Sequence, residues 1–571
     1  MGGLRAALSF FSGRPFLFSQ KALRNAGKND IIDKISRQAA RGGSGMKESF
    51  KRIWALVLAL LLVSAVCFLF AGRKQGMFID EIYTYGLSNS SYAPFLRDVK
   101  GGSIVGKTFT RAELLDYVSV MGDEGFDFGS VYYNQVNDVH PPLYYWLFNI
   151  ASTFAKGSYS KWTGLVLDYL LYLLCLGALY ALVRRLGGSP CNAAAAALLY
   201  GLSMIGLSTM LMIRMYVLLT LLSLLLALEI AALMQRFRPS LCVLVGLTLL
   251  AGLMTQYYFV FYAFFLCAAF VLRALIRKQY RALAWFVPCA LLGALALLAV
   301  FPAALKHLFS GELVSGDNAV DNLKNLAQYP VRLREFVGWA RHGLKAAIFV
   351  GLAAALGLCL CIPRLRRARR TEKPSLDWLV LIVPAFLAFV LVAIISPVDE
   401  PRYIYNLMPF FVLAVSFLLD LLERAAGDLP RRARVSACVF LAIAALALWE
   451  ARCAPPDYLY PEHAEYNAML EARRSDPCVY FSDDHFEPLT EDLNQLLIFD
   501  EFYVTDERSL DGMLAYVGEA REAVVYIDTS VFWSSGYNAQ AILDRIAAES
   551  DFDRAEELFT TGLSTTYLIS R

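Results

Sequence analysis

Apolar runs of about 20 residues, separated by short polar or basic stretches, follow one another along most of this 571-residue chain. A run of that length can cross the hydrocarbon core of a bilayer as one helix. With 57% of its residues apolar, the chain has the composition of a polytopic α-helical membrane protein. The pattern predicts about eleven spans, at residues 53–72, 162–183, 192–211, 215–235, 240–256, 258–276, 283–303, 342–362, 378–395, 404–422 and 435–450.

A further apolar stretch, 141–155, is short for a complete span, and the basic clusters decide how it is placed. Lys and Arg accumulate on the cytoplasmic side of membrane proteins. All the clusters fall on that side only if 141–155 does not cross, so we expect a short helix in the outer interface, with Tyr144, Tyr145 and Trp146 at the membrane surface. A genuine span there is the alternative. The clusters are Arg184–Arg185, Arg236 with Arg238, Arg277–Lys278, Arg364–Arg370 and Arg431–Arg434.

This orientation divides the chain into three parts. Residues 1–45 precede Met46 and a basic start, and we expect a disordered tail or upstream sequence, with Met46 as the true initiator. Residues 46–450 form the predicted membrane domain, with a long first outer loop at 73–161. Residues 451–571 alternate strand-like with helix-like stretches, which predicts a small extracytoplasmic α/β domain. The expected location is the plasma membrane, with a cytoplasmic N-terminus.

Two adjacent carboxylates, Asp80 and Glu81, lie just after the first predicted span. Ionised groups at a membrane are costly unless they are paired or functional. One of two neighbouring carboxylates can face a cavity as a general base while the other holds the loop. His140 precedes two prolines that can start a helix, and it is suited to bind an anion there. A solvated acidic pair and an ordinary surface histidine are the alternative interpretations.

Two arginines fall at predicted outer turns, against the usual distribution of charge. Arg214 and Arg402 would suit a phosphate, which a guanidinium binds in a bidentate manner, although contact with lipid headgroups also explains either one alone. Aromatic and amide side chains at the same turns suit a sugar or a headgroup, or form an aromatic belt: Tyr216, Gln256, Tyr257 and Tyr403.

In this order, Asp80-Glu81, His140–Tyr145, Arg214–Tyr216 and Arg402-Tyr403 resemble the membrane glycosyltransferases of the GT-C fold. The resemblance covers roughly residues 50–440. It is to the dolichyl-phosphate-mannose protein mannosyltransferases, glycosyltransferase family 39, and to their bacterial relatives, which include aminoarabinose transferases. The fold expected from it is a GT-C-like helical membrane domain.

The resemblance implies that Asp80 is the catalytic base and that Glu81 supports it. Lys161 stands near the place where the family often has an arginine after its His-Pro-Pro helix. The candidate donor-binding residues are therefore His140, Lys161, Arg214, Tyr216, Gln256, Tyr257, Arg402 and Tyr403.

The activity implied by the resemblance is transfer of a sugar from a polyprenyl-phosphate donor to a glycan, lipid or protein acceptor outside the cytoplasm, with inversion. The lipid phosphate is the leaving group, so no cofactor is required; a divalent metal is compatible with the carboxylates. The net charge of +3 gives no reason to expect nucleic acid. A transporter or flippase for lipid-linked sugars is the alternative function. A transporter would be expected to have several charged residues within its spans. Asp168 and Glu229 lie within predicted spans, but neither has an obvious partner in the sequence.

Overall fold

The computed structural model describes residues 54–122, 124–309, 321–361, 377–425, 429–531 and 536–571. The expectations for residues 1–45 and Met46, and for the Arg364–Arg370 cluster, lie outside these ranges.

The long apolar runs form helices. Two pairs of helices are each bent at a short break, Pro190–Gly201 with Met204–Leu211 by 64° and Leu326–Gly343 with Lys345–Leu360 by 88°. By length and composition, the described residues hold eight helices able to cross a membrane, or ten if each bent pair is one span. The eight are Trp54–Arg73, Lys161–Arg185, Tyr216–Gln235, Phe259–Ile276, Tyr280–Val300, Asp377–Ile395, Pro401–Ala425 and Arg431–Cys453.

The remaining predicted span, 240–256, coincides with the helix Pro239–Leu253, which has 15 residues. At 1.5 Å per residue that helix is about 22 Å long, against about 30 Å for the hydrocarbon core. A helix thus stands at each of the predicted positions, and the polytopic helical architecture is confirmed. By length alone, this helix does not reach across.

Three helix ends near basic clusters, at Arg185, Gln235 and Trp378, lie together. The amide of Gln235 donates to the carbonyl oxygen of Arg185 at 2.5 Å, and the indole of Trp378 donates to that of Leu186 at 3.2 Å. The contacts between Asp80, Arg214 and Arg402 lie at the opposite helix ends. This is the grouping that the charge pattern predicts; which side of a membrane each end faces stays a prediction.

The stretch 141–155 forms the helix Leu143–Thr153, of 11 residues. Its first N–H donates to the carbonyl oxygen of Met254 at 3.0 Å, which fixes the helix start against a second outer turn. The expectation that Tyr144 and Tyr145 lie at the membrane surface is wrong, because both are fully buried in the protein. The Tyr144 hydroxyl donates to Asp168 at 2.8 Å.

The two acids within spans therefore have partners that the sequence does not show. Asp168 accepts from Tyr144, and Glu229 accepts from the hydroxyl of Thr248 at 2.8 Å on the neighbouring helix. Each hydroxyl satisfies part of a buried carboxyl group, as buried polar groups require.

Shorter helices and a sheet complete the structure. In the two predicted outer loops at 73–161 and 304–341, together with the turn before the second, the shorter helices include Ile79–Asn89, Leu96–Val99, Arg111–Val118, Phe128–Asn137, Leu143–Thr153 and Ala303–Phe309. The C-terminal helices are His463–Glu471, Glu487–Glu491, Leu493–Leu496, Leu510–Val517 and Ala539–Glu549. The strands are β1 (Thr108–Thr110), β2 (Cys478–Phe481), β3 (Glu501–Thr505), β4 (Glu522–Asp528), β5 (Arg554–Thr560) and β6 (Ser564–Ser570).

The strands form one six-stranded sheet in the order β1-β3-β2-β4-β6-β5. The central strand β2 runs parallel to β3 and β4, and the outer pairs are antiparallel. Helices Leu510–Val517 and Ala539–Glu549 supply apolar residues to a core beneath β2 and β4. The small C-terminal α/β fold expected from the sequence is therefore confirmed.

Strand β1 comes from the first outer loop, not from the C-terminal segment. Phe109 stands opposite Phe502 of β3 in the antiparallel register, and the two rings stack with centroids 5.4 Å apart. Asp484 adds a second link, because its carboxylate accepts the N–H of Ile104 at 2.7 Å and the hydroxyl of Ser103 at 3.0 Å. The first loop and the C-terminal segment thus share one sheet across the expected boundary at residue 451.

We predict that Phe109→Ala releases β1 from the sheet. The Phe109 side chain is fully buried, and truncating a buried phenylalanine costs about 3–5 kcal/mol. Hydrogen exchange of the β3 amides, measured by mass spectrometry in detergent, should speed up as the edge opens. Phe154→Ala is the matched control, since this ring is 82% exposed. Unchanged protection of β3 in Phe109→Ala would show that β1 contributes little.

Candidate active site

The two adjacent carboxylates begin the helix Ile79–Asn89 and point in different directions. Phe78 is the extended residue before the helix, and its N–H donates to the Glu81 carboxylate at 2.7 Å. Successive residues of an α-helix lie about 100° apart around its axis. Because this contact turns Glu81 inward, Asp80 faces another way, and its side chain is 21% exposed.

Glu81 is part of a fully buried ion pair. The ammonium of Lys74 lies 2.9 Å from one carboxylate oxygen, and neither side chain is exposed. The other oxygen accepts the N–H of Ile213 at 2.8 Å. Lys74 also donates to the carbonyl oxygen of Tyr458 at 2.6 Å. The pair of Lys74 and Glu81 therefore fastens the end of the first span to a later turn, through Glu81, and to the C-terminal segment, through Lys74.

Asp80 lies between two guanidinium groups. Its Oδ2 is 2.9 Å from Nη1 of Arg402, and its Oδ1 is 4.0 Å from Nη2 of Arg214. Arg214 also donates to the backbone carbonyl oxygen of Asp80 at 2.9 Å and to the Thr84 hydroxyl at 3.2 Å. The Nε–H groups of both arginines are buried and have no hydrogen-bond partner among the described residues. Such donors are costly to leave unsatisfied and suit an oxygen-rich ligand.

His140 joins this cluster through Asp138. The Asp138 carboxylate lies 2.8 Å from His140 Nδ1, and Arg214 Nη2 lies 3.4 Å from the same nitrogen. A carboxylate only accepts and a guanidinium only donates, so the shorter contact to Asp138 places the proton on Nδ1. Nε2 is then the nitrogen that takes part in neither of these contacts. Asp138 orients His140, as carboxylates commonly do for functional histidines.

The charges of the cluster keep its carboxyl groups ionised. Burial raises the pKa of Asp80, but the charges of Arg402, Arg214 and His140 outweigh it, so the pKa lies below its ordinary value. Burial likewise raises the pKa of Asp138, and the charge and hydrogen bond of His140 lower it by more. Both groups are therefore carboxylates at neutral pH.

Aromatic rings surround Arg402. Its guanidinium carbon lies 5.3 Å from the ring centroid of Phe78 and 5.8 Å from that of Tyr403. Tyr216 is buried beside Tyr405, with ring centroids 6.0 Å apart. These rings pack around the arginine, so its charge is held in place at a low local dielectric constant.

The other candidate residues lie in separate contacts. The amide oxygen of Gln256 accepts the N–H of Tyr257 at 2.8 Å, and the Tyr257 hydroxyl lies 2.9 Å from Nδ1 of His307. Lys161 donates to the carbonyl oxygen of Lys74. The structure thus brings His140, Arg214 and Arg402 to Asp80, and places Lys161 with the pair formed by Lys74 and Glu81.

Sequence reasoning missed two charged members of this region. Asp138 stands in the same motif as His140, and its place two residues away is the signal that could have identified it. In the sequence, Lys74 looks like an ordinary basic residue at the end of a span. The structure shows that it is buried, which the local sequence does not indicate. Within the described ranges, no group of three or more His, Cys, Asp or Glu residues could hold a metal ion.

No protein-family model and no curated protein sequence matches the chain. Solved structures do match. ArnT from Cupriavidus metallidurans, in a structure bound to undecaprenyl phosphate, is 12% identical with a TM-score of 0.46, over 90% of this chain and 98% of ArnT. The oligosaccharyltransferase AglB from Archaeoglobus fulgidus, in complex with an inhibitory peptide and a dolichol-phosphate, is 12% identical with a TM-score of 0.47, over 84% of this chain and 70% of AglB.

The mycobacterial arabinofuranosyltransferase AftD is 14% identical with a TM-score of 0.42, over 90% of this chain and 40% of AftD. The chain is similar to membrane glycosyltransferases. They are enzymes of the kind to which the sequence resemblance points. At these identities and TM-scores the similarity assigns no activity to this chain, so we argue its function from the cluster around Asp80.

Proposed function

We propose that this chain is an integral membrane glycosyltransferase that moves a sugar from a polyprenyl-phosphate donor to an acceptor outside the cytoplasm. The observation that supports it is Asp80, a partly exposed carboxylate at one end of the helical bundle, between two guanidinium groups. The Nε–H donors of both groups are buried and have no partner in the described part of the chain. A phosphate would satisfy those donors, and a carboxylate beside it would accept a proton.

In the proposed reaction Asp80 takes the proton of the acceptor hydroxyl as its oxygen attacks the anomeric carbon. The bond from that carbon to the phosphate oxygen breaks on the opposite face, so the configuration inverts. Arg214 and Arg402 stabilise the charge that develops on the departing phosphate, and His140 adds to this when Nε2 also carries a proton. Glu81 takes no proton in this scheme, because its contacts to Lys74, Phe78 and Ile213 hold the loop.

Arg402 connects donor binding to the basicity of Asp80. In the present structure its nearest charged partner is Asp80, at 2.9 Å. A bound phosphate would compete for the same guanidinium and draw it away from the carboxylate. Because the charge of Arg402 is the largest effect that lowers the pKa of Asp80, this competition would make Asp80 a stronger base once the donor is in place.

The test is release of sugar by the purified protein in detergent. A lipid extract that contains labelled polyprenyl-phosphate sugars is supplied with a delipidated envelope fraction as acceptor. An enzyme of the proposed kind transfers label to the envelope fraction and leaves polyprenyl phosphate behind. A flippase would move the lipid across vesicles and leave the bond between sugar and phosphate intact, which would overturn the proposal.

We predict that Arg402→Met shifts the pH profile of transfer. In the wild-type protein the pKa of Asp80 is depressed, so kcat/KM should fall only in acid below the ordinary carboxyl pKa of about 3.9. Removing Arg402 takes away the largest effect that opposes burial, so the pKa of Asp80 rises and the acid limb of kcat/KM moves to higher pH. Arg341→Met, on an exposed side chain, is the control. If the acid limb does not move in Arg402→Met, Arg402 does not control the pKa of the catalytic base proposed here.

A further inference from the structure

A cavity of about 390 Å³ lies beside the cluster around Asp80 and shares residues with it. Phe78, which precedes the helix that carries Asp80, forms one wall, and its ring also lies 5.3 Å from the Arg402 guanidinium. Glu400, two residues before Arg402, forms another wall. The Phe78 ring thus contacts both the cavity and the Arg402 guanidinium that pairs with Asp80.

The lining combines flat rings with carboxyl groups. Phe78, Trp339, Tyr458 and Tyr460 supply the rings, and Phe78 and Tyr458 lie with ring centroids 5.9 Å apart. Burial raises the pKa of Glu400; the charge of Arg402 opposes this change and that of Asp80 adds to it. His342 also lines the cavity, but no lysine or arginine is among the described residues of its wall, so the wall lacks the groups that hold a phosphate most firmly.

The backbone that presents two of these rings is strained. Tyr458 and Tyr460 have φ of 66° and 47°, in the left-handed region that non-glycine residues rarely adopt. Lys74 holds this segment through the Tyr458 carbonyl oxygen at 2.6 Å, and the N–H of Gln75 donates to the carbonyl oxygen of Leu459 at 2.7 Å. Strain of this kind persists where the surroundings fix it, and it is concentrated at functional sites.

Asp457 completes the polar side of the cavity. Its N–H donates to the Ser208 hydroxyl at 3.0 Å, and that hydroxyl lies 3.3 Å from the Asp457 carboxylate. Carboxylates pair well with the closely spaced hydroxyls of a sugar ring, and aromatic faces cover its apolar C–H surface. An extended peptide is usually held through backbone donors and acceptors of the protein. In this cavity the carboxyl groups of Glu400 and Asp457 are side chains.

Resting on the proposed function, we propose that this cavity binds the acceptor and that the acceptor is a carbohydrate. A neutral sugar ring stacks on the rings of Trp339 and Tyr460, and its hydroxyls donate to Glu400 and Asp457. The attacking hydroxyl then reaches Asp80 past Phe78, while the donor phosphate stays with Arg214, Arg402 and His140. The C-terminal segment contributes to acceptor recognition through residues 457–460.

The test uses the full-length protein, the labelled lipid extract as donor, and the delipidated envelope fraction as acceptor in three portions: untreated, oxidised with periodate, or digested with proteinase. Transfer should be lost with the periodate portion and kept with the proteinase portion. Trp339→Ala should raise the half-saturating amount of acceptor about tenfold, the effect of losing one central aromatic contact. Binding of undecaprenyl phosphate to the variant should stay at the wild-type level.

Trp449→Ala is the matched control, because this tryptophan is 62% exposed on the last long helix. If Trp339→Ala fails to fold, Asp457→Asn keeps the size of the side chain and should raise the half-saturating amount several-fold. Transfer that proteinase abolishes, or a folded cavity variant that behaves like Trp449→Ala, overturns the carbohydrate assignment. Absence of any transfer by the wild-type protein overturns the proposed function itself.

Discussion

Asp80→Asn should lower the rate of sugar transfer by about 10²–10⁴-fold, the usual contribution of a positioned general base. Asparagine keeps the size of the side chain but cannot take the proton of the acceptor hydroxyl. The variant should still fold, because Asp80 is partly exposed and the buried contacts of the loop are made by Glu81. The measurement is kcat with the labelled donor extract, together with a thermal melt of the same preparation.

Asp116→Asn is the control for this result. It makes the same chemical change on an exposed residue of the same outer loop, and it should leave the rate unchanged. A well-folded Asp80→Asn protein that transfers sugar within a few-fold of the wild type would remove Asp80 from the role of base. Asp138, the other carboxylate of the cluster, would then be the next candidate for the base.

Lys74→Met should destabilise the protein by about 3–5 kcal/mol, because it leaves the buried carboxylate of Glu81 without its countercharge. Adding Glu81→Gln to that variant should recover part of the loss, since the double variant has no unpaired buried charge. The measurement is the midpoint of thermal unfolding in detergent for the single and double variants.

Lys100→Met tests whether the effect depends on burial. Lys100 pairs with Glu113 in the same outer loop, but both side chains are partly exposed, and such pairs contribute about 0–1 kcal/mol. Equal shifts in Lys74→Met and Lys100→Met would contradict a special role for the buried pair. Together with Asp80→Asn, these variants test whether the carboxylate proposed to react differs from the one that holds the fold.

The sequence predicted much of the helical architecture because long apolar runs are a strong local signal. It also selected Arg214 and Arg402, since arginines at outer turns run against the distribution of charge. The structure places them 4.0 Å and 2.9 Å from Asp80, although they lie far along the chain. Their catalytic roles stay predictions.

What the sequence could not supply depends on contacts between distant residues. Which of Asp80 and Glu81 faces inward depends on the residue at which the helix begins, and that start is fixed by a contact to Phe78. Tyr144 and Tyr145 read as interfacial residues, yet they are buried because Asp168 and Arg214 lie against them. Strand β1 has three residues and no local pattern of its own, and it exists through its register with β3.

The shared sheet has a consequence for how the protein is made. A ribosome produces Thr108–Thr110 long before it produces Glu501–Thr505, and the membrane-crossing helices after the first loop are synthesised in between. The loop that carries β1 therefore has no partner strand until the C-terminal segment has been made. A nascent chain that stops before residue 501 would contain most of its long helices and still lack the strand that pairs with β1.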